Sequence, residues 1–109
     1  MSEHTAQGDA VILIPSLEPD ERLPAYIRKL REAGFSHAVV VDDGSAGCEE
    51  TFAAVRDRVE ALLVHSANRG KGAALKTGFA WVREHLPDVA GVVTADADGQ
   101  HTPDDIRRV

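Results

Sequence analysis

Four apolar runs recur along the chain: AVILI at 10–14, HAVVV at 37–41, ALLV at 61–64 and GVVTA at 91–95. Each is continuous rather than alternating, which is the pattern of a strand covered on both faces in a parallel sheet. Between the runs the apolar period changes. Leu23, Ile27 and Leu30 share one helical face, Pro24 suits the first turn, and Gly34 can cap the end. Cys48, Phe52, Val55 and Val59 recur at helical intervals, as do Leu75, Phe79, Val82 and Leu86 before Pro87 stops the run. Phe79 and Trp81 are read as core on that third helix. Strand, helix, strand, helix, strand, helix, strand predicts an α/β fold: a parallel sheet with alternating helices and right-handed crossovers.

Residues 10–109 form one predicted domain behind a polar tail at 1–9, since 109 residues suffice for one small core and not for two. At the C-terminal end, Thr102 suits an N-cap, Pro103 a first helical position, and Asp104 and Asp105 the positive end of a helix dipole. The chain stops at Val109 after about two turns. This predicts the first part of a larger protein, cut inside a helix. A sheet face left open by such a cut leads to the expectation of either aggregation or a homodimer.

Composition narrows the partners. The formal charge is −6 and no stretch is strongly basic, which argues against a nucleic-acid partner. Cys48 is the sole cysteine, so no internal disulfide forms, as expected in a reducing compartment. Nothing beside it activates a thiol, and a structural role in the interior is expected. The first ten residues have no signal-peptide core, and no apolar run nears the roughly 20 residues of a membrane span. The chain reads as cytoplasmic.

In an open parallel sheet, ligands bind beyond the carboxyl ends of the strands. Every polar cluster follows a strand. Pro15 to Glu18 follow the first, Asp42-Asp43-Gly44-Ser45 the second, Asn68-Arg69-Gly70-Lys71-Gly72 the third, and Asp96-Ala97-Asp98-Gly99-Gln100 the fourth. In the fourth, two carboxylates stand two residues apart and repel unless a positive charge lies between them. If the segment stays extended, Asp96, Asp98 and Gln100 face one side. Three oxygen donors suit a hard divalent ion, magnesium or manganese, with positions left for phosphate oxygens. A solvated Asp-Gly turn is the plainer alternative, and the metal reading is preferred to it. His101 is read as exposed rather than as a ligand.

The third cluster is a glycine-rich loop opening a helix, where backbone N–H groups and the charges of Arg69 and Lys71 can receive a phosphate. It matches neither the P-loop nor the full dinucleotide pattern, and a plain glycine turn explains it equally well in isolation. The second cluster reads either as a turn with a helix cap or as a hydrogen-bonding edge for a nucleoside. The nucleoside reading is preferred for at least one of Asp42 and Asp43.

Taken together, VILIPSLEPDERL, VVVDDGS, NRGKGAALKTGF and TADADGQHTPDDI resemble the consecutive blocks of a family-two glycosyltransferase. They are most similar to its polyprenyl-phosphate branch, the dolichol-phosphate mannosyltransferase type, over about residues 10–109. The resemblance implies the Rossmann-like nucleotide-binding half of a GT-A fold. It also implies a nucleotide-diphosphate sugar donor and a magnesium or manganese ion, with the acceptor either a lipid phosphate, at the cytoplasmic face of a membrane, or a protein or polysaccharide hydroxyl. Asp96 and Asp98 match the DXD carboxylates, and Gln100 a further metal-side ligand. Pro15, Glu18, Asp42 and Asp43 fall on blocks that hold the nucleoside; Asn68, Gly70 and Lys71 fall on the loop near the donor, and Asp96 is shared between nucleotide and metal. One position departs: the family commonly reads Asn-Glu where this chain has Glu18-Pro19.

The implied reaction is inverting sugar transfer, with the catalytic base expected beyond Val109. The alternative is a catalytically incomplete nucleotide-binding fragment. A second alternative is a phosphatase of the haloacid-dehalogenase type, which also uses Asp-x-Asp-Gly after a strand.

Overall fold

The structure, a computed structural model, describes residues 10–97. The elements alternate: β1 (Ala10–Ser16), α1 (Arg22–Glu32), β2 (His37–Asp42), α2 (Glu49–Arg56), β3 (Ala61–Val64), α3 (Lys71–His85) and β4 (Gly91–Thr94). The four strands form one parallel sheet in the order β3-β2-β1-β4.

That order decides where the helices lie. The chain steps from β1 to β2 to β3 in one direction, then crosses back over both to place β4 on the far side of β1. With one crossover hand throughout, the reversal must put α3 on the face opposite α1 and α2. The packing agrees. Ile12, Ile14 and Val40 meet Leu23, Ile27 and Leu30 of α1 and Phe52 and Val55 of α2. Val11, Leu13, Val39 and Val41, one residue out of phase, meet Ala74 and Val82 of α3. Strand side chains alternate between faces, so each central strand feeds both cores.

Local sequence explains the helix ends. Arg22 N–H donates to the Asp20 carboxylate (2.9 Å) and Leu23 N–H to the Asp20 carbonyl (3.1 Å), which starts α1. At its end Gly34 takes φ +100°, with Gly34 N–H bonded to the Arg31 carbonyl and Phe35 N–H to that of Leu30. This is a Schellman motif, closed by the buried side chains of Phe35 and Leu30.

Three expectations need correction. β1 and β2 are buried on both faces, but β3 and β4 are half-exposed, because each has a strand neighbour on one side only among the described residues. Val59 and Leu86 lie outside α2 and α3, although both pack against the cores. The buried face of α3 is Ala74, Gly78 and Val82, displaced from the Leu75–Phe79–Val82–Leu86 stripe. Phe79 is 43% exposed rather than core. The cause is Gly78: a Cβ there would meet Leu13 Cδ1 at 2.2 Å. The helix therefore lies close on β1 through a residue with no side chain, and Phe79 turns outward. Trp81 packs against the second core and stacks on His85 at 4.4 Å.

Candidate functional site

A cleft of about 340 Å³ opens at the carboxyl ends of the strands, on the α3 side of the sheet, where the order reverses at β1 and β4. β1 contributes Pro15, Ser16 and the rim residue Leu17; β2 contributes Asp43; the segment following β4 contributes Asp96. The remaining wall is Asn68, Gly70, Lys71 and Ala74, the loop after β3 and the start of α3. Alternation brings Pro15 and Asp43 to this face. Val11 and Leu13 face α3 and so does Pro15; Val39 and Val41 face α3 and so does Asp43.

The same alternation separates the two adjacent aspartates. Asp42 lies in a different groove with Cys48, Phe52 and Val64, and its carboxylate accepts the Ser45 N–H at 2.9 Å. In that groove burial pushes the Cys48 thiol up, and the carboxylates of Glu18, Asp42 and Glu49 push it further. That thiol therefore carries less thiolate than an ordinary cysteine. Glu18 also stays out of the cleft wall. It has φ +49°, and its N–H donates to Ser45 Oγ at 2.7 Å, tying the loop after β1 to the loop after β2.

Asp43 is 4% exposed and organises the cleft floor. Its Oδ1 accepts from Arg69 N–H (2.9 Å) and faces His65 Nδ1 (2.8 Å), while Oδ2 accepts from Gly70 N–H (2.8 Å). A carboxylate offers about four lone-pair positions, so three are occupied by the protein itself. The Arg69 N–H bond, then the His65 contact and the Gly70 N–H, hold its carboxyl below the ordinary 3.8, against an opposing effect of burial. The loop is held from a second point as well. Gly44 has φ +78°, and a Cβ on it would lie 2.3 Å from the Asn68 backbone nitrogen, so only glycine lets the two loops touch.

This bracing leaves the start of α3 facing the cleft. Gly70 is its N-cap at φ +98°, among the described residues no side chain caps the first turn, and Asn68 Oδ1 accepts the Gly70 N–H at 3.0 Å. The helix dipole adds partial positive charge there. Lys71 supplies a full one, and its Nζ donates to Asp96 Oδ1 at 3.2 Å across the cleft.

Of the residues expected from sequence, Pro15, Asp43, Asn68, Gly70, Lys71 and Asp96 thus share one cleft, whereas Glu18 and Asp42 stand apart from it. Asp98, Gln100 and His101 lie outside the described residues. Among the described residues no group of three or more His, Cys, Asp or Glu side chains is placed to hold a metal ion. Ser16 and Leu17 of the first cluster line the cleft as well, and two residues outside the four clusters, His65 and Thr77, lie behind its wall. Parity was the available signal for His65: it continues Ala61 and Leu63 on the α3 face, and β3 pairs with β2 beside Asp43.

The family model described as Glycosyl transferase family 2 matches residues 11–109. The chain belongs to this family. Membership sets aside the phosphatase alternative. The chain is 33% identical over 105 residues to a polyprenol monophosphomannose synthase of Mycolicibacterium smegmatis, covering 91% of this chain and 38% of the relative. It is 35% identical over 101 residues to an undecaprenyl-phosphate mannosyltransferase of Micrococcus luteus, covering 89% and 41%. It is 29% identical over 116 residues to a UDP-N-acetylglucosamine–dolichyl-phosphate N-acetylglucosaminyltransferase of Methanococcus voltae, covering 90% and 44%. The chain spans about two fifths of the length of the curated relatives it matches. Among the described residues, no helix is long and apolar enough to cross a membrane.

Proposed function

We propose that the cleft binds the nucleoside diphosphate of a sugar donor, within an inverting glycosyltransferase whose acceptor is a polyprenyl phosphate. The observation that carries this reading is the meeting of an uncapped helix start, Lys71 and Asp96 at the strand-order reversal. A site that offers fixed N–H donors, one lysine cation and one hard carboxylate suits a diphosphate accompanied by a metal ion. The names of the three relatives supply the acceptor class.

In this reading Pro15 and Leu17 wall the nucleoside and the remaining lone pair of Asp43 is available to it. The first-turn amides of α3 and Lys71 receive the phosphates, while Asn68 and Gly70 line that end of the cleft, the Arg69 and Gly70 amides being bonded to Asp43. Asp96 fits a divalent ion: its carboxylate is 37% exposed on the cleft wall and already attracts a cation, Lys71. Asp98 and Gln100 would complete the donor set, and magnesium or manganese would neutralise the departing diphosphate. An acceptor phosphate oxygen attacks the anomeric carbon opposite the diphosphate. The bond to the diphosphate oxygen breaks and its electron pair leaves with the nucleoside diphosphate. The first-turn amides of α3 and Lys71 face that growing charge.

Calorimetric titration of the purified protein with UDP and with GDP, each with and without manganese, tests the reading. Manganese-dependent binding of one nucleotide is the expected result and identifies the base. Absence of binding to either by the folded protein would remove the proposal.

A further inference from the structure

Asp43 does not hold the loop alone. His65, 8% exposed, lies between it and α3: Nδ1 is 2.8 Å from Asp43 Oδ1, and Nε2 is 2.8 Å from Thr77 Oγ1. An ionised carboxylate only accepts, so Nδ1 carries the proton. In the neutral ring Nε2 then accepts the Thr77 hydroxyl. His65 N–H also donates to the Asp42 carbonyl at 2.8 Å, which continues the β2–β3 ladder past its last paired residue. One imidazole therefore links the end of β2, the end of β3 and the second turn of α3.

We propose that His65 is a positioning residue for the phosphate end of the cleft. By bridging Asp43 to Thr77 it orients the carboxylate that binds the Arg69 and Gly70 amides, and so aims the start of α3 and Lys71 into the cleft. The inference rests on the donor-site reading above. It goes further by assigning control of phosphate placement to a buried side chain that lies behind the cleft wall and takes no part in lining it. The geometry leaves little freedom: both ring nitrogens are engaged, and Gly44 presses on the same loop from the next residue of β2's end.

The experiment combines nuclear magnetic resonance with titration of UDP and GDP in the presence of manganese. In the unaltered protein the ring of His65 should show a protonated Nδ1 hydrogen-bonded to Asp43. A neutral ring with the proton on Nε2 would overturn the proposal without any substitution. His65→Ala should shift the Arg69 and Gly70 amide resonances and weaken nucleotide binding by about ten- to a hundredfold, the scale of displacing a binding group by about an ångström. His65→Asn keeps a donor that can reach Asp43 and should recover part of that loss. Thr77→Val should cost less than His65→Ala and shift the same amides. All affinities are compared at a temperature where each variant is folded, so a merely structural role would leave them alike. A folded His65→Ala protein that binds as tightly as the original, with the Gly70 amide unmoved, sinks the positioning role and leaves the donor site standing. If the unaltered protein binds neither nucleotide, the donor-site reading falls. The amide shifts then decide by themselves whether His65 sets the loop. Should His65→Ala not fold, the His65→Asn and Thr77→Val pair carries the same decision.

Discussion

Lys71 Nζ lies 3.2 Å from Asp96 Oδ1, so an ion pair joins the first residue of α3 to the segment after β4 across the mouth of the cleft. Both partners are open to water, with side chains 65% and 37% exposed. An exposed pair of this kind contributes about 0–1 kcal/mol to stability. Its importance is to ligand binding: each partner is held close to where a diphosphate and its counter-ion would lie.

Lys71→Ala should therefore leave the melting temperature nearly unchanged and weaken nucleotide binding. Loss of a hydrogen bond to a charged group, about 1.5–3 kcal/mol, corresponds to roughly a ten- to hundredfold rise in Kd. The penalty should shrink as salt is raised, since the cation acts through a screened field. Titrations at low and high salt decide this, and a salt-independent penalty would point to packing instead.

Asp98→Asn tests the metal proposal. The variant should fold normally and lose most of the manganese-dependent part of nucleotide binding. Equal affinity in variant and parent, with manganese present, would rule out Asp98 as a ligand.

Asp43 makes stability depend on pH in a defined direction. Its folded pKa is depressed below the ordinary 3.8, chiefly by the Arg69 N–H and then by His65. A depressed carboxylate stabilises the fold fully above its unfolded pKa, and this contribution disappears as pH falls through the folded value. Urea unfolding of the parent should thus lose stability below about pH 4, and Asp43→Asn should flatten that fall. If the two pH curves run parallel, the carboxylate does not hold the loop as described.

Two glycines in the site should behave differently when given a side chain. At Gly44 a Cβ meets backbone at 2.3 Å, and backbone cannot move aside cheaply. At Gly70 nothing among the described residues lies within 4 Å, and the cost is that of a φ of +98° alone, about 1–3 kcal/mol. Gly44→Ala should cost more stability than Gly70→Ala and should also displace the loop, weakening nucleotide binding. Chemical denaturation and titration of both variants check the order; the reverse order would contradict the close approach of the two loops.

Gly78→Val separates core from site. Leu13 is fully buried and cannot yield to a Cβ placed 2.2 Å from its Cδ1. Overpacking of this kind costs about 1–3 kcal/mol. For a domain of this size that lowers the melting temperature by roughly 4–8 °C per kcal/mol. A thermal melt with no change would mean that α3 does not lie on β1 through Gly78.

The sequence by itself determined the architecture and the edge of the sheet on which the site lies. Continuous apolar runs such as VILI and AVVV can only be covered from both sides, helical periods fill the intervals, and in a parallel sheet every strand delivers its following loop to one edge. The clusters at Pro15, Asp43, Gly70 and Asp96 were legible for that reason: their common location follows from local pattern and strand direction. What only the tertiary structure decided depends on distances between segments far apart in the chain. Asp42 and Asp43 are chemically identical in sequence; alternation turns them to opposite faces, and only the placing of the helices makes one face an outer groove and the other the cleft floor. Apolarity marks Phe79 for the interior, but the close approach of Gly78 to Leu13 turns it outward. His65 reads as an ordinary polar residue until β3 sets it between Asp43 and Thr77, 22 and 12 residues away. Periodicity records what a residue's own element requires of it; a hydrogen bond between elements is fixed by how those elements pack.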